Sequence, residues 1–211
     1  MILAIDTSAG QCAVALDTGA GVVACRAEME RGHAEALFPM IDAVLAEAGA
    51  PMHSISRVAV CTGPGSFTGL RLGIAAARGL ALGLGCEAVG VSRFEALAAE
   101  ARARHPGHPV AVILAGRPGT VFLQVFDIDG TPHAAPEILT ESVAEGAIPP
   151  LATRVGDAGV ARAILSHGLP DPAAIARLAA GRVPAGPPAP LYLRGPDAAL
   201  PRETPPAILD A

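Results

Sequence analysis

The chain has 211 residues, of which 51% are hydrophobic and 17% charged, and its formal net charge is −5. This composition excludes a disordered protein, because the apolar fraction suffices to bury one large core or two small ones. The negative charge is also opposite to the basic surface of proteins that grip nucleic acid by themselves, so any role with RNA is expected to be indirect.

The first half of the chain is predicted to form one mixed sheet covered by helices. Three strands are predicted at residues 2–6, 11–17 and 21–29, joined by turns short enough for an antiparallel meander. Apolar residues at helical spacing then predict an amphipathic helix over 33–48. The elements that follow are a strand at 57–61, a helix at 68–84, a strand at 86–90 and a helix at 92–104 that begins at the cap candidate Ser92.

The composition changes near residue 105, since 17 of the 20 prolines follow that point. We therefore predict a first lobe at 1–104 and a smaller, partly degenerate second lobe at 105–211. The second lobe is predicted to contain paired strands, three short helices and an extended C-terminal piece. These elements are strands 109–115 and 120–127, helices 140–146, 157–166 and 172–180, a proline-rich linker at 184–190 and the extended residues 191–194.

The most informative local segment is the glycine-rich turn at residues 63–69, GPGSFTG, between a strand and a helix. Ser66 and Thr68 are both N-cap candidates, and the free N–H groups of a first helical turn attract anions. Gly65, Ser66 and Thr68 are therefore candidate anion or nucleotide contacts. The required Lys of a Walker loop is absent, and the alternative is a tight, well-capped connection.

The end of the first predicted strand, Asp6-Thr7-Ser8, supports two interpretations. A carboxylate beside hydroxyls at a strand end suits nucleotide or metal–phosphate binding. The same three side chains also suit a turn that caps itself through hydrogen bonds to its own backbone.

The helix over 68–84 contains two pairs of glycines, each pair spaced by four residues. Each interior glycine costs roughly 1 kcal/mol relative to alanine, so another backbone is expected to approach closely. That backbone belongs either to a partner's helix or to the chain's own sheet, and the sequence leaves both open. The residues concerned are Gly69, Arg71, Gly73, Ala76, Arg78, Gly79 and Gly83.

No set of residues in the sequence predicts independent catalysis. His33 has no second His three or four residues away, the four cysteines lack metal-ligand spacing, and no nucleophile motif occurs. We therefore predict no catalytic residue, no metal site and reduced cysteines. No apolar run is expected to span a membrane, and the N-terminal residues do not resemble a signal peptide, so a cytoplasmic location is expected.

Several segments together resemble the TsaB family, formerly called YeaZ. They are residues 2–8, 31–35, 63–73, 79–81 and 90–92, with 191–194 resembling the family's closing motif. The resemblance implies an α/β, two-lobed actin/Hsp70-like ATPase (ASKHA) fold with a truncated second lobe. It covers the first half of the chain well and the second half only thinly.

The resemblance also implies a role as the dimerisation subunit that activates a TsaD-type transferase. That enzyme makes N6-threonylcarbamoyladenosine at position 37 of tRNAs reading ANN codons, with a TsaE-like ATPase as a further partner and tRNA bound only indirectly. The resemblance implies no tightly bound cofactor. It leaves open whether ATP or ADP binds at the complex interface and whether the isolated chain forms a homodimer. The alternative is a self-sufficient ATPase or metallopeptidase-like enzyme on the same fold.

By this resemblance, the helices over 33–48 and 68–83 pack against their counterparts in the partner. The expected interface residues are His33, Glu35, Leu37, Met40, Gly69, Arg71, Gly73, Ala76 and Arg78. The catalytic paralogue's metal-binding HxxxH motif falls on Arg93 and Leu97 here, and neither side chain can replace an imidazole ligand. The chain also departs from the family at residues 115–117, where Ala115 replaces a frequent aspartate.

Overall fold

Two β-sheets organise the chain, whose computed structural model describes residues 1–159 and 168–193. The first sheet has five strands in the order β3-β2-β1-β4-β5, and β1, β4 and β5 run parallel while β2 and β3 form an antiparallel meander with β1. The predicted mixed sheet is thus confirmed. Its strands are β1 (Ile2–Ala9), β2 (Gln11–Asp17), β3 (Val22–Glu28), β4 (Arg57–Cys61) and β5 (Glu87–Val91).

Two helices, α1 (His33–Glu47) and α2 (Phe67–Leu84), cover one face of this sheet. Their apolar residues at helical spacing join the inward side chains of the strands in one cluster, as the sequence predicts. The fully buried members include Leu3, Ile5, Val14, Leu37 and Ile41. Removal of this apolar surface from water is what holds the two helices on the sheet.

Helix α2 has the length and composition of a membrane span, and 33% of its residues are buried. By length and composition alone, this helix departs from the expectation that no apolar run is long enough to span a membrane. However, Ile74, Ala77 and Ala81 on its inner side pack into the chain's own core. Helix α2 thus packs on the first sheet through its inner side, and its solvent-facing side is unusually apolar.

The second sheet has four strands in the order β8-β7-β6-β9. Its strands are β6 (Val110–Ala115), β7 (Thr120–Phe126), β8 (Glu137–Thr140) and β9 (Thr153–Val155). Helix α3 (Arg93–Arg104) packs on one face through Phe94 and Leu97, and α4 (Glu141–Ala147) packs on the other through Ala144. The sequence did not predict β8 and β9, whose four and three residues are too short to show alternation.

Helix α5 (Pro172–Ala180) returns to the back face of the first sheet. Ile175, Ala176 and Ala179 are buried there against strand residues such as Ala4 and Ala59. The predicted boundary at residue 104 is therefore wrong for α5, which follows the second sheet in sequence but belongs to the core of the first lobe. Of the predicted helix 157–166, residues 160–166 lie outside the described residues, as does position 194 of the predicted extended piece.

Candidate functional site

The end of β1 is sealed inside the protein. Asp6, Thr7 and Ser8 are at most 1% exposed. The Asp6 carboxylate accepts hydrogen bonds from the Ser8 backbone N–H and from Gln11 Nε2, both at 2.8 Å. The prediction that these three residues contact a nucleotide is thereby corrected, because their polar atoms are used within the fold.

The glycines at the start of α2 let the helix lie directly on β1. A Cβ atom at Gly69 would overlap the backbone carbonyl of Thr7, and one at Gly73 would lie 2.5 Å from Thr7 Oγ1. Thr7 Oγ1 in turn donates to Gly69 O at 2.7 Å. Gly69 and Gly73 therefore serve internal packing, and their prediction as partner-interface residues was wrong.

The turn before α2 is fixed by hydrogen bonds to the same strand. Ser66 N donates to Ser8 O at 2.7 Å, and a Cβ at Gly65 would overlap that carbonyl. Ser66 is the N-cap, since its hydroxyl accepts from Gly69 N at 3.3 Å. Gly65, Ser66 and Thr68 remain exposed, so anion contact by this turn stays a prediction.

Two of the predicted interface residues of α1 also point inward. Leu37 is 0% and Met40 8% exposed, and both belong to the core cluster under the helix. Their place in a partner interface was therefore predicted wrongly, since they hold α1 on the chain's own sheet. His33 is half-buried and its Nε2 lies 3.2 Å from Ala9 O, whereas Glu35 is exposed.

The outer side of α2 carries a continuous exposed stripe of four residues, Arg71, Ala75, Arg78 and Leu82. Their spacing of i, i+4, i+7 and i+11 places them on one helical face. Leu82 is 86% exposed, so this large apolar side chain takes no part in packing α2 on the sheet. We call these four residues the α2 stripe.

Open space continues along the C-terminal half of the α2 stripe. The second glycine pair, Gly79 and Gly83, has no atom within 4 Å of an added Cβ, in contrast to the first pair. On α1, Phe38 is 49% exposed, and the exposed charged residues of that helix are acidic, with Asp42 as one example. Phe38, Ala75 and Leu82 were not predicted from the sequence, although helical spacing counted from the buried residues would have placed them outward.

An aromatic and cationic cluster closes the N-terminal end of the stripe. The rings of Phe67 and Tyr192 stack with centroids 5.6 Å apart, and the Arg71 guanidinium lies 3.7 Å from the Phe67 ring centre. Arg71 Nε also donates to the Tyr192 hydroxyl at 3.2 Å. The segment around Tyr192 is thus tied to α2 across 121 residues of sequence.

A cavity of about 390 Å³ lies beside this cluster, between the two lobes. Its wall combines the turn before α2, the end of β6 and the segment around Tyr192. Among the lining residues are Pro64, Gly65, Phe67, Ala115, Phe122 and Tyr192. Its volume lies within the range of small-molecule sites.

Comparison with known proteins identifies the family. The model of the family "TsaD: tRNA N6-adenosine threonylcarbamoyltransferase" matches residues 8–147. The chain is 36% identical over 128 residues to the tRNA threonylcarbamoyladenosine biosynthesis protein TsaB of Escherichia coli, covering 61% of this chain and 55% of that protein. A solved Pseudomonas aeruginosa protein described as similar to peptidase YeaZ superposes with a TM-score of 0.79 at 28% identity, covering 92% of this chain and 99% of that one.

The chain belongs to the TsaB (YeaZ) group of the TsaD family. The two-sheet architecture is accordingly of the actin-like ATPase (ASKHA) type, as the resemblance implied. The chain spans about half of the length of the curated TsaB proteins it matches. Its similarity to a catalytic relative, the tRNA N6-adenosine threonylcarbamoyltransferase of Jannaschia sp., covers 64 residues at 41% identity, 30% of this chain and 18% of that protein.

This TsaB-family chain has a buried guanidinium, that of Arg93, where the catalytic paralogue is expected to have its first metal-ligating histidine. Arg93 is 7% exposed and donates to carboxylate and carbonyl oxygens, and Leu97 is fully buried in the apolar cluster. Within residues 1–159 and 168–193, no three His, Cys, Asp or Glu side chains are grouped to hold a metal ion. The chemistry of these two side chains is that of ion pairing and apolar packing.

The buried cysteines of this TsaB-family chain are poor nucleophiles. Burial, with a smaller effect of the nearby Asp6 carboxylate, raises the pKa of Cys12 from 9.0 to about 11. Burial likewise raises the pKa of Cys61, whose Sγ lies 3.3 Å from Ser8 Oγ. Since the thiolate is the reactive form, both side chains act as packing residues at neutral pH.

Proposed function

We propose that the chain is a non-catalytic partner subunit that binds and activates a TsaD-type transferase in the synthesis of N6-threonylcarbamoyladenosine in tRNA. The transferase modifies position 37 of tRNAs reading ANN codons. The observation that carries the proposal is the α2 stripe, an exposed helical face of small, apolar and Arg residues on a helix only one third buried. Membership of the family supports the choice of reaction, the synthesis of threonylcarbamoyladenosine in tRNA.

The α2 stripe has the properties of a helix-docking surface. Ala75, Gly79 and Gly83 present little side chain, so a second helix can approach closely. Leu82 supplies apolar area, while Arg71 and Arg78 supply two guanidinium groups seven residues apart for partner carboxylates. Interfaces are enriched in Arg and aromatic residues, and the Phe67–Tyr192 pair adds two rings at one end.

The outer face of α1 extends this surface with the opposite charge. Glu35 and Asp42 are exposed beside Phe38, and the half-buried His33 lies at the start of the helix. A partner helix pair with complementary charges would therefore be oriented by both helices. The same complementarity supports a homodimer of the isolated chain, in which α1 of one copy faces α2 of the other.

Two observations support a subunit that does not catalyse the transfer. Arg93 and Leu97 replace the imidazoles expected at the metal site of the paralogue, and the curated TsaB relatives are named as biosynthesis proteins, distinct from the named transferase. The net charge of −5 supports tRNA contact through the partner. The proposal includes a TsaE-like ATPase as a further component and a cytoplasmic location. It also includes ATP or ADP at the complex interface, for which Gly65, Ser66 and Thr68 are the candidate contacts.

The interface is tested with one exposed leucine in the α2 stripe and one elsewhere. Leu82→Glu places a charge in the proposed helix contact and is expected to weaken binding to a TsaD-type partner roughly 10- to 100-fold, as for an apolar interface residue that loses its contact. Leu151→Glu is the control, since Leu151 is 74% exposed but lies in the second lobe. Affinity is measured by calorimetry, and modified adenosine in tRNA by mass spectrometry of nucleosides.

The proposal fails if both variants bind the partner alike, or if tRNA modification by the partner proceeds equally without this chain. The competing enzyme hypothesis is tested on the chain alone, by its metal content and its rate of ATP hydrolysis. Hydrolysis that Thr68→Ala abolishes would favour an independent ATPase. Negligible turnover and no bound metal are the results expected of a partner subunit.

A further inference from the structure

Arg93 connects segments from both lobes through its backbone N–H and its guanidinium group. On the first-lobe side, the Arg93 backbone N–H donates to Gly63 O at 2.7 Å and Nη1 donates to Pro64 O at 3.4 Å. On the other side, Nη2 pairs with Asp157 Oδ2 at 2.8 Å and Nε donates to Gly168 O. Arg93 thus holds the turn before α2 to two segments that follow the second sheet.

The carboxylate of Asp157 extends this connection to the end of β6. Asp157 Oδ1 accepts from the Ala115 backbone N–H at 2.7 Å. Ala115, Pro64 and Arg93 all line the inter-lobe cavity. The pair therefore bridges the cavity from the turn before α2 to the second sheet.

The backbone at Gly168 packs against the Arg93–Asp157 pair. A Cβ at Gly168 would lie 2.3 Å from Arg93 Nη2 and 2.3 Å from Asp157 Oδ2, so the Gly168 backbone lies directly against the ion pair. The Arg93 side chain is 8% exposed and that of Asp157 is 37% exposed. A planar guanidinium donates in several fixed directions at once, which a lysine ammonium on the same stem cannot reproduce.

We infer that the Arg93–Asp157 pair is an inter-lobe latch that fixes the width of the cavity between the two sheets. While the ion pair is formed, the two lobes keep a fixed separation, and they move apart when the ion pair breaks. Loss of either partner leaves the other charge without its counter-ion, and loss of Arg93 also removes the hydrogen bond to Pro64 O. The inference concerns the isolated chain and does not depend on the proposed partner.

The latch is tested by changing one lobe and measuring the other. In the full chain, Asp157→Asn removes the charge in the second lobe with little change in shape. Its readout is hydrogen exchange at the Ser66 and Leu191 amides, which donate to Ser8 O and Thr62 O in the first lobe. We expect exchange at both to accelerate about tenfold or more, as for loss of a charged hydrogen bond.

Three further variants complete the test. Arg93→Gln is expected to give the same acceleration at Ser66, and the double variant no more than Arg93→Gln alone, because both changes break one contact. The control Arg104→Gln removes an exposed arginine of the same helix, 3.9 Å from Glu100, and should leave exchange at Ser66 unchanged. The latch is overturned if Asp157→Asn does not alter exchange at Ser66, or if amides throughout α1 accelerate equally.

Discussion

At the scale of single residues, the two glycine pairs of α2 have opposite surroundings. Gly69→Ala is expected to lower the free energy of unfolding by about 1–3 kcal/mol, because the new Cβ overlaps the Thr7 carbonyl. Gly79→Ala is the matched control in the same helix, where nothing lies within 4 Å, and should raise it by about 0.5–1 kcal/mol. Urea denaturation of both variants gives the comparison, and equal effects would contradict the close approach of α2 to β1.

The buried thiol of Cys12 gives a residue-scale prediction at alkaline pH. Its pKa is about 11 in the folded chain, raised from 9.0 by burial and by Asp6, so its stabilising contribution is complete below pH 9 and is lost between pH 9 and 11. In that window the unfolded state releases one more proton, and stability falls by about 1.4 kcal/mol per pH unit from this group. Cys12→Ala should show a correspondingly shallower decline in urea midpoints measured at pH 8 to 11. The same slope in both proteins would show that Cys12 is not the titrating group.

At the scale of elements, α3 depends on the residues at its start. Ser92 and Glu95 form a capping box, in which each side chain accepts from the other's backbone N–H. Burial alone would raise the pKa of Glu95, but hydrogen bonds from Arg182 and from the Ser92 N–H lower it overall. The contribution of the Glu95 carboxylate to the free energy of unfolding is therefore present above its ordinary pKa of 4.5. It is lost as the pH falls through the lowered pKa of the folded chain.

Glu95→Gln should accordingly be less stable than wild type at pH 7, by about 1 kcal/mol, with the difference shrinking below pH 4.5. Thermal denaturation between pH 3 and 7 measures this, with Ser92→Ala as the variant that removes the cap without removing the charge. A difference between Glu95→Gln and wild type that does not change with pH would exclude the charged capping box as its cause.

The sequence predicted most helices and strands because they are long and periodic, as in α1 and α2. It could not predict β8 or β9, which are formed by pairing with β7 and β6 rather than by their own few residues. It also could not decide whether Gly69 or Gly79 faces the sheet, since both fit the same spacing and only the position of Thr7 distinguishes them. The exposed Leu82 was also not predicted, although its spacing from the buried residues of α2 would have placed it outward.

At the scale of the whole molecule, the path of the chain links the two lobes more closely than composition indicates. The change in proline content at residue 105 marks the start of the second sheet, but α5 returns to the first. Strand residues such as Ala4, Ala15 and Ala59 are fully buried partly because Ile175 and Ala179 cover them. Contacts this distant in sequence leave no periodic signal from which they could be predicted.

This return of α5 predicts that residues 1–104 do not fold alone. Without α5 the back face of the first sheet is bare, and without β6 the buried Phe94 and Leu97 of α3 lose their packing partners. The fragment should bind a hydrophobic dye and show no cooperative urea transition, whereas the full chain unfolds cooperatively. Full-length Ile175→Ala is the intermediate case, expected to stay cooperative but to lose about 2–5 kcal/mol of unfolding free energy. A cooperative transition of the fragment at the midpoint of the full chain would show instead that the first lobe is an autonomous domain, and that α5 adds little to its stability.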